Sequence, residues 1–272
     1  MLKGIVVGTN TGLGDQIVMN GGIRYLSQCY DKVWLVTWEN RAKHAEYLYK
    51  DCPNIEVYVK PSLEHSRQAP MRMESAHREI VESHPDFEIK PYTRYWFIKV
   101  KEWAKLAKRF ELPSNTIFPR IFYARLGVDY SKRYTFQKIP RDFNIESRVY
   151  DLLQIKKPYI FVVNDCRSSK FNIDIETDKT IVNPMDYPWW KDTLIYDWQM
   201  VMELADEIHT VNTSWFHLAR AMQLHVPKFY YSARKVRFCE QNKEFLNDEY
   251  DNGWTLVTGD WSSKKKNNWK YT

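Results

Sequence analysis

Three short segments carry residue types that can do chemistry, and each follows an apolar run. The first is Gly12-Leu13-Gly14-Asp15-Gln16, a glycine turn that delivers a carboxylate to the start of a helical repeat. Asp15 can take a proton from a hydroxyl there, or it can cap a helix whose free N–H groups favour an anion. The second is Asn164-Asp165-Cys166-Arg167-Ser168-Ser169-Lys170. Arg167 can fork two oxygens and Lys170 supplies a point charge, a pair suited to a diphosphate; the plain alternative is a solvated basic loop. The third is Asn212-Thr213-Ser214-Trp215-Phe216-His217. Thr213 and Ser214 at a helix start can present hydroxyls and N–H groups to a phosphate or act as ordinary N-caps. His217, one turn further, either faces the same end or packs. Trp189 and Trp190 can stack on a base or sugar, or plug a domain interface.

These segments need strands and helices to hold them. Ile5-Val6-Val7, bounded by Gly4 and Gly8, reads as a strand buried on both faces. Gly8, Gly12 and Gly14 permit backbone angles closed to other residues and a close ligand approach. Ile17, Val18, Gly21, Gly22, Tyr25, Leu26 and Cys29 then keep helical spacing along one face. Further strands are expected at Lys32–Trp38 and Ile55–Val59, with helices between, so the opening is a Rossmann-like unit with a parallel sheet. From Pro61 to Pro91 charges dominate. Val100, Trp103, Ala104, Ala107 and Phe110 keep helical spacing, as do Phe118, Ile121, Phe122 and Arg125 before a stop at Gly127. Residues 128–144 read as a connection.

A second unit opens with the strand Tyr159–Val163. A helix through Trp198, Val201, Met202, Leu204 and Ala205 follows, then a strand at Ile208–Val211, a helix over Trp215–Leu224 capped by Asn212–Ser214, and a strand ending at Tyr231. The fold class is α/β, two Rossmann-like domains over residues 1–150 and 151–272 with a cleft between them. Ligands of such folds bind beyond the carboxyl ends of the strands, where all three segments fall.

Composition narrows the function classes. The net charge is +6, but Lys264, Lys265, Lys266 and Lys270 lie in the last twelve residues with no acid, which leaves +2 for residues 1–260. A duplex binder carries its basic face on the folded domain, so nucleic acid is not an expected partner. The tail reads as a solvated end, an anion-binding arm or a weak contact with an anionic membrane surface through Lys264–Lys266. Aromatic residues make up 15% of the chain, enough to fill cores and also to line a ligand cleft. No apolar run reaches the roughly 18 residues of a membrane span, and the opening residues leave no room for a signal peptide. A soluble, cytoplasmic protein is expected. The four cysteines form no Cys-x-x-Cys pair and the seven histidines no ligand spacing, so no metal is expected.

Thr11-Gly12-Leu13-Gly14-Asp15 before one helix, with Asp206-Glu207-Ile208-His209-Thr210-Val211-Asn212-Thr213-Ser214-Trp215-Phe216-His217-Leu218-Ala219 before the last strand, resembles the GT-B glycosyltransferases of the heptosyltransferase type. The glycine start and the Asn-Thr-Ser helix cap are also similar to nucleotide-sugar-dependent fucosyltransferases. The resemblance implies a sugar transferred from a nucleotide-sugar donor to a hydroxyl of a glycan or glycolipid, without a metal or other cofactor. It implies an acceptor-side first domain and a donor-binding second domain. By this resemblance Asp15 is the general base, Gly12 and Gly14 form the close-packed acceptor-side turn, and Lys170, Thr213, Ser214 and His217 meet the donor; Gln16 is placed on the acceptor side by its position in that turn, and Arg167 on the donor side by its own chemistry. Asn212 stands where that pattern has Asp and Trp215 where it has a small residue, so the fold and reaction class carry over and the sugar stays open.

Two other classes compete. Gly12-Leu13-Gly14-Asp15-Gln16-Ile17 approaches the Gly-x-Gly-x-x-Gly fingerprint, and Glu39 ends the second strand where a ribose-binding acid would sit, as in an NAD-dependent oxidoreductase; the third glycine is missing. A non-catalytic carbohydrate-binding protein could keep the fold without turnover. Asp174-Ile175-Glu176 superficially matches a metal-holding Asp-x-Asp triplet but comes late in the chain.

Overall fold

The computed structural model describes residues 3–8, 12–60, 79–80, 82–90, 108, 118–166, 169–232, 253–259 and 263–265. The chain divides into two compact units, Met1–Pro140 and Arg141–Thr272.

The first unit is built on four parallel strands in the order β3-β2-β1-β4: β1 (Gly4–Gly8), β2 (Lys32–Trp38), β3 (Ile55–Lys60) and β4 (Glu88–Lys90). Ile5, Val6 and Val7 have no exposed surface, as a run of β-branched residues in a central parallel strand requires. Val6 joins Val36, Trp38, Ile80 and Phe87 in a core on one sheet face. Alternation turns Val33, Leu35 and Thr37 to the other face, where Gln16 of helix α1 (Leu13–Cys29) bonds Thr37. Helix α2 (Glu39–Leu48) starts directly after β2, so Glu39 opens a helix. Arg24 ties the two helices together through the Leu48 carbonyl and the Asp51 carboxylate, both at 2.7 Å.

Helix α3 (Phe118–Leu126) ends where Gly127 takes φ +66°, the left-handed conformation that favours glycine. Helix α4 (Lys132–Thr135) follows. Of the segment expected to be a connection, residues 128–140 are therefore part of the first unit and 141–144 of the second, with the Lys138 N–H bonded to Asn20 Oδ1 at 2.9 Å and the Gln137 amide to the Ile17 carbonyl at 3.2 Å. The helical spacing expected over Val100–Phe110 lies outside the described residues apart from Lys108.

The second unit starts earlier than the boundary expected at 150. Helix α5 (Phe143–Leu152), capped by Asp142, belongs to it, because its buried Glu146 is held by Arg141, which also reaches Glu203. Five parallel strands run in the order β11-β10-β9-β5-β8, and a small antiparallel sheet has the order β12-β7-β6. Their spans are β5 Tyr159–Val163, β6 Asp165–Cys166, β7 Ser169–Phe171, β8 Thr180–Val182, β9 Glu207–Val211, β10 Lys228–Tyr231, β11 Trp254–Val257 and β12 Ser263–Lys265. The basic tail is thus not wholly a solvated end: Lys264 pairs in register with Lys170 of β7. The helix expected through Trp198 is a 3-10 turn, Ile195–Trp198, continued by α6 (Gln199–Glu203). Helix α7 (Ser214–Met222) completes the unit and packs Phe216 against Tyr230 and Trp254. No helix among the described residues is long and apolar enough to cross a membrane.

Candidate functional site

In the second unit, β5 and β9 are parallel neighbours with Val163 opposite Thr210, so the chain leaves both strands at the same sheet end. Beyond β5, Asn164 leads into the β6–β7 hairpin, and the Phe171 N–H returns to the Asn164 carbonyl at 2.9 Å. Phe171 then packs with Val211, the last residue of β9, and with Tyr231. Lys170 is the residue before Phe171 in the chain, and Asn212 and Thr213 follow Val211. Lys170 is exposed and makes no ion pair among the described residues. Arg167 lies outside the described residues.

Thr213 occupies the N-cap position of α7 in an extended conformation, φ −144°, but its hydroxyl makes no capping bond. Thr213 Oγ1 is buried without a hydrogen-bond partner. The expected cap is therefore absent: the residue type is right and the hydroxyl is turned elsewhere. The first N–H groups of α7 keep the partial positive charge of a helix start. Ser214 is half-buried beside them, whereas His217 is only 5% exposed and packs at 5.3 Å from the Phe216 ring. Burial at that level gives His217 a packing position. Thr210 Oγ1, fully buried on β9, also lacks a partner. It was not singled out by its sequence context, although a threonine inside an apolar strand is the signal that would mark it.

On the same strand His209 is sandwiched between partners. Its Nδ1 lies 2.8 Å from the Tyr231 hydroxyl, its Nε2 3.1 Å from Glu207 Oε2, and its ring stacks on Phe229 at 4.6 Å. Burial lowers its pKa, and the Glu207 carboxylate only partly offsets this. Lys179 completes the chain with an ion pair to Glu207 at 2.7 Å.

Trp189 and Trp190 belong to a 3-10 turn, Pro188–Asp192, beyond the carboxyl end of β8. The Asn183 amide links that end to Asn164 Oδ1 at 3.1 Å. Trp189 stacks on the fully buried Trp198, 5.5 Å between centroids and 17° between planes. Trp198 in turn meets Trp215, the second residue of α7, edge-on at 5.9 Å. The indole of Trp189 is thus packed against its own unit.

In the first unit Asp15 is the third residue of α1. Its Oδ2 accepts the Gly12 N–H at 3.3 Å, so the carboxylate does close the helix start. Gly12 has φ −92°, an ordinary extended value. Its glycine requirement is one of space, not of backbone angle: a Cβ there would lie 2.9 Å from Asp15 Oδ2. Gly14, the second helical residue, is half-buried. Gln16 is 1% exposed and its amide nitrogen bonds Thr37 Oγ1 at 2.8 Å, which turns it toward β2 instead of the open turn.

Among the described residues no three His, Cys, Asp or Glu side chains gather as a metal would require. Asp174 and Glu176 are exposed, and Ile175 between them packs on the Phe171 core. Cys29 and Cys52 are free thiols.

No protein-family model matches the chain, and no curated protein matches it. Among solved structures it is similar to the ADP-heptose LPS heptosyltransferase II of E. coli, with 8% identity, a TM-score of 0.45, and 94% of this chain and 90% of that chain covered. It is also similar to the E. coli heptosyltransferase WaaC, with 13% identity, a TM-score of 0.43, and 94% and 93% covered. A third similar structure is the calicheamicin glycosyltransferase CalG4, with 12% identity, a TM-score of 0.39, and 95% and 85% covered.

Proposed function

We propose that the protein is a glycosyltransferase of the GT-B type, which moves a sugar from a nucleotide-sugar donor to a hydroxyl of a glycan or glycolipid. The observation that carries this reading is the start of α7. A helix N-terminus without a side-chain cap, the buried and unpartnered hydroxyl of Thr213, and a hairpin bearing Lys170 each follow the carboxyl end of one of two adjacent parallel strands, which supports this reading. Such an end accepts anionic oxygens readily. The sequence resemblance assigns the diphosphate of the donor to the same residues.

In the proposed reaction the bond from the anomeric carbon to the diphosphate oxygen breaks, and its electron pair leaves with the diphosphate. Lys170, Arg167 and the N–H groups of Ser214 and its neighbours meet the growing charge, so no metal is required. The acceptor oxygen forms the new bond to the anomeric carbon, and its proton passes to the Asp15 carboxylate. Donor binding belongs to the second unit and acceptor activation to the first.

The test is a thermal-shift series on the full chain with UDP, GDP, ADP, CMP and NAD. A ligand that binds only the folded state raises the melting temperature by mass action. Stabilisation by one nucleoside diphosphate and not by NAD is expected. A response to NAD alone would overturn the reading in favour of an oxidoreductase.

A further inference from the structure

Trp189 presents a half-exposed indole that is fixed in place. Trp198 supplies the fixing. It has no exposed surface, its indole N–H donates to Thr193 Oγ1 at 2.9 Å, and its ring meets Trp215 edge-on. Trp215 is itself wedged against Phe161 of β5 at 5.5 Å. One face of Trp189 lies nearly parallel on Trp198, while Tyr187 touches the pair at 5.7 and 6.1 Å. Beyond these contacts Trp189 meets no other ring or cation among the described residues, and its indole N–H makes no hydrogen bond with them. Trp190, by contrast, makes no ring contact among the described residues. Two successive ring contacts, 5.5 and 5.9 Å, separate Trp189 from the second residue of α7. The aromatic ladder is therefore anchored on the helix whose start is left uncapped.

We propose that Trp189 is the stacking platform for the base of the nucleoside diphosphate whose phosphates sit at the start of α7. The inference rests on the nucleotide-sugar reading and adds to it the ring that receives the base. A flat base gains by lying on an indole face whatever its hydrogen-bonding edge. A platform already stacked on a buried neighbour loses little freedom when the ligand arrives.

The test compares wild type, Trp189→Ala and Trp189→Phe as full chains by calorimetric titration with UDP, GDP, ADP and inorganic pyrophosphate. The best-bound nucleoside diphosphate is expected to lose about ten- to a hundredfold in affinity in the alanine variant, with pyrophosphate affinity unchanged and most of the loss recovered in the phenylalanine variant. Equal affinity of wild type and alanine variant for the nucleoside diphosphate would overturn the platform while leaving the donor site standing. A parallel loss of pyrophosphate affinity would overturn it too, since Trp189 would then only support the helix start. Failure of the wild type to bind any of these ligands would overturn the nucleotide reading and this inference together.

Discussion

The Tyr123 hydroxyl stands inside the backbone ladder of α1, where it accepts the Gly22 N–H at 2.9 Å and donates to the Val18 carbonyl at 3.0 Å. Two residues 101 positions apart thus share a bond that the helix would otherwise make alone. The Gln137 amide on the Ile17 carbonyl extends the same clamp, and the helix so held is the one that begins with Asp15. Tyr123→Phe keeps the ring and deletes the bridge, while Gly22 and Val18 can still bond each other. A loss of about 1–2 kcal/mol is expected in urea denaturation. An unchanged midpoint would mean that the hydroxyl contributes nothing.

Gly21 and Gly12 are both needed for space, with different consequences. A Cβ on Gly21 would lie 2.4 Å from the Lys132 carbonyl oxygen and 2.6 Å from that of Arg133. Backbone cannot yield there, so Gly21→Ala should cost about 2–3 kcal/mol, more than the roughly 1 kcal/mol that alanine gains in helix propensity. Gly12→Ala meets only the far end of a side chain, Asp15 Oδ2 at 2.9 Å. Its melting temperature should stay close to that of wild type while sugar transfer falls, because the carboxylate is pushed aside. Thermal melts of both variants, with transfer assays of the second, separate the two effects.

Stability should depend on pH in two separate windows. His44 is held neutral, its pKa pulled down to about 4 by burial and then by the nearby Arg41 charge. The unfolded chain takes up that proton near 6.5. The unfolded state therefore binds more protons between those values, and up to roughly 3 kcal/mol is lost as pH falls from 6.5 to 4. His209, lowered by burial, acts in the same direction. Asp51 opens the second window. Burial would raise its pKa, but hydrogen bonds from Arg24 and Lys138 outweigh this and hold it below the usual carboxylate range. Its contribution is present above about pH 4 and is lost as pH falls further. Denaturant midpoints from pH 8 to 3 should flatten between 6.5 and 4 in His44→Gln, with the fall below 4 retained. A His44→Gln profile matching wild type throughout would contradict this.

The legible parts of the fold were those written in long or β-branched runs. Gly4–Gly8, Lys32–Trp38 and Tyr159–Val163 are strands because their side chains must be buried on both faces. Two of the missed strands are short, polar and at an edge. Glu88-Ile89-Lys90 joins β1 by backbone pairing while Ile89 stays 41% exposed, and Lys264 and Lys265 pair with β7 despite their charge. No periodicity marks such segments, since the ladder asks only for N–H and C=O groups. At the candidate site, residue type was readable and orientation was not. Thr213 sits at the N-cap without capping, Gln16 turns inward to Thr37, and His217 is buried. Each outcome depends on a neighbouring strand or ring that local spacing does not specify. Gly21 and Gly22 were visible as small residues on one helix face, but the chain pressing on them comes from Tyr123, Lys132 and Arg133.

The central claim is that Asp15 takes the acceptor proton while the second unit holds the donor. Asp15→Asn is the most direct probe, because it keeps the shape of the side chain and an oxygen that can accept the Gly12 N–H. Donor affinity and the rate of sugar transfer from that donor should be measured on the same preparation. The account predicts unchanged donor affinity with transfer reduced by at least about a hundredfold, the scale of a lost general base. A transfer rate equal to that of wild type would remove Asp15 from the reaction and contradict the account.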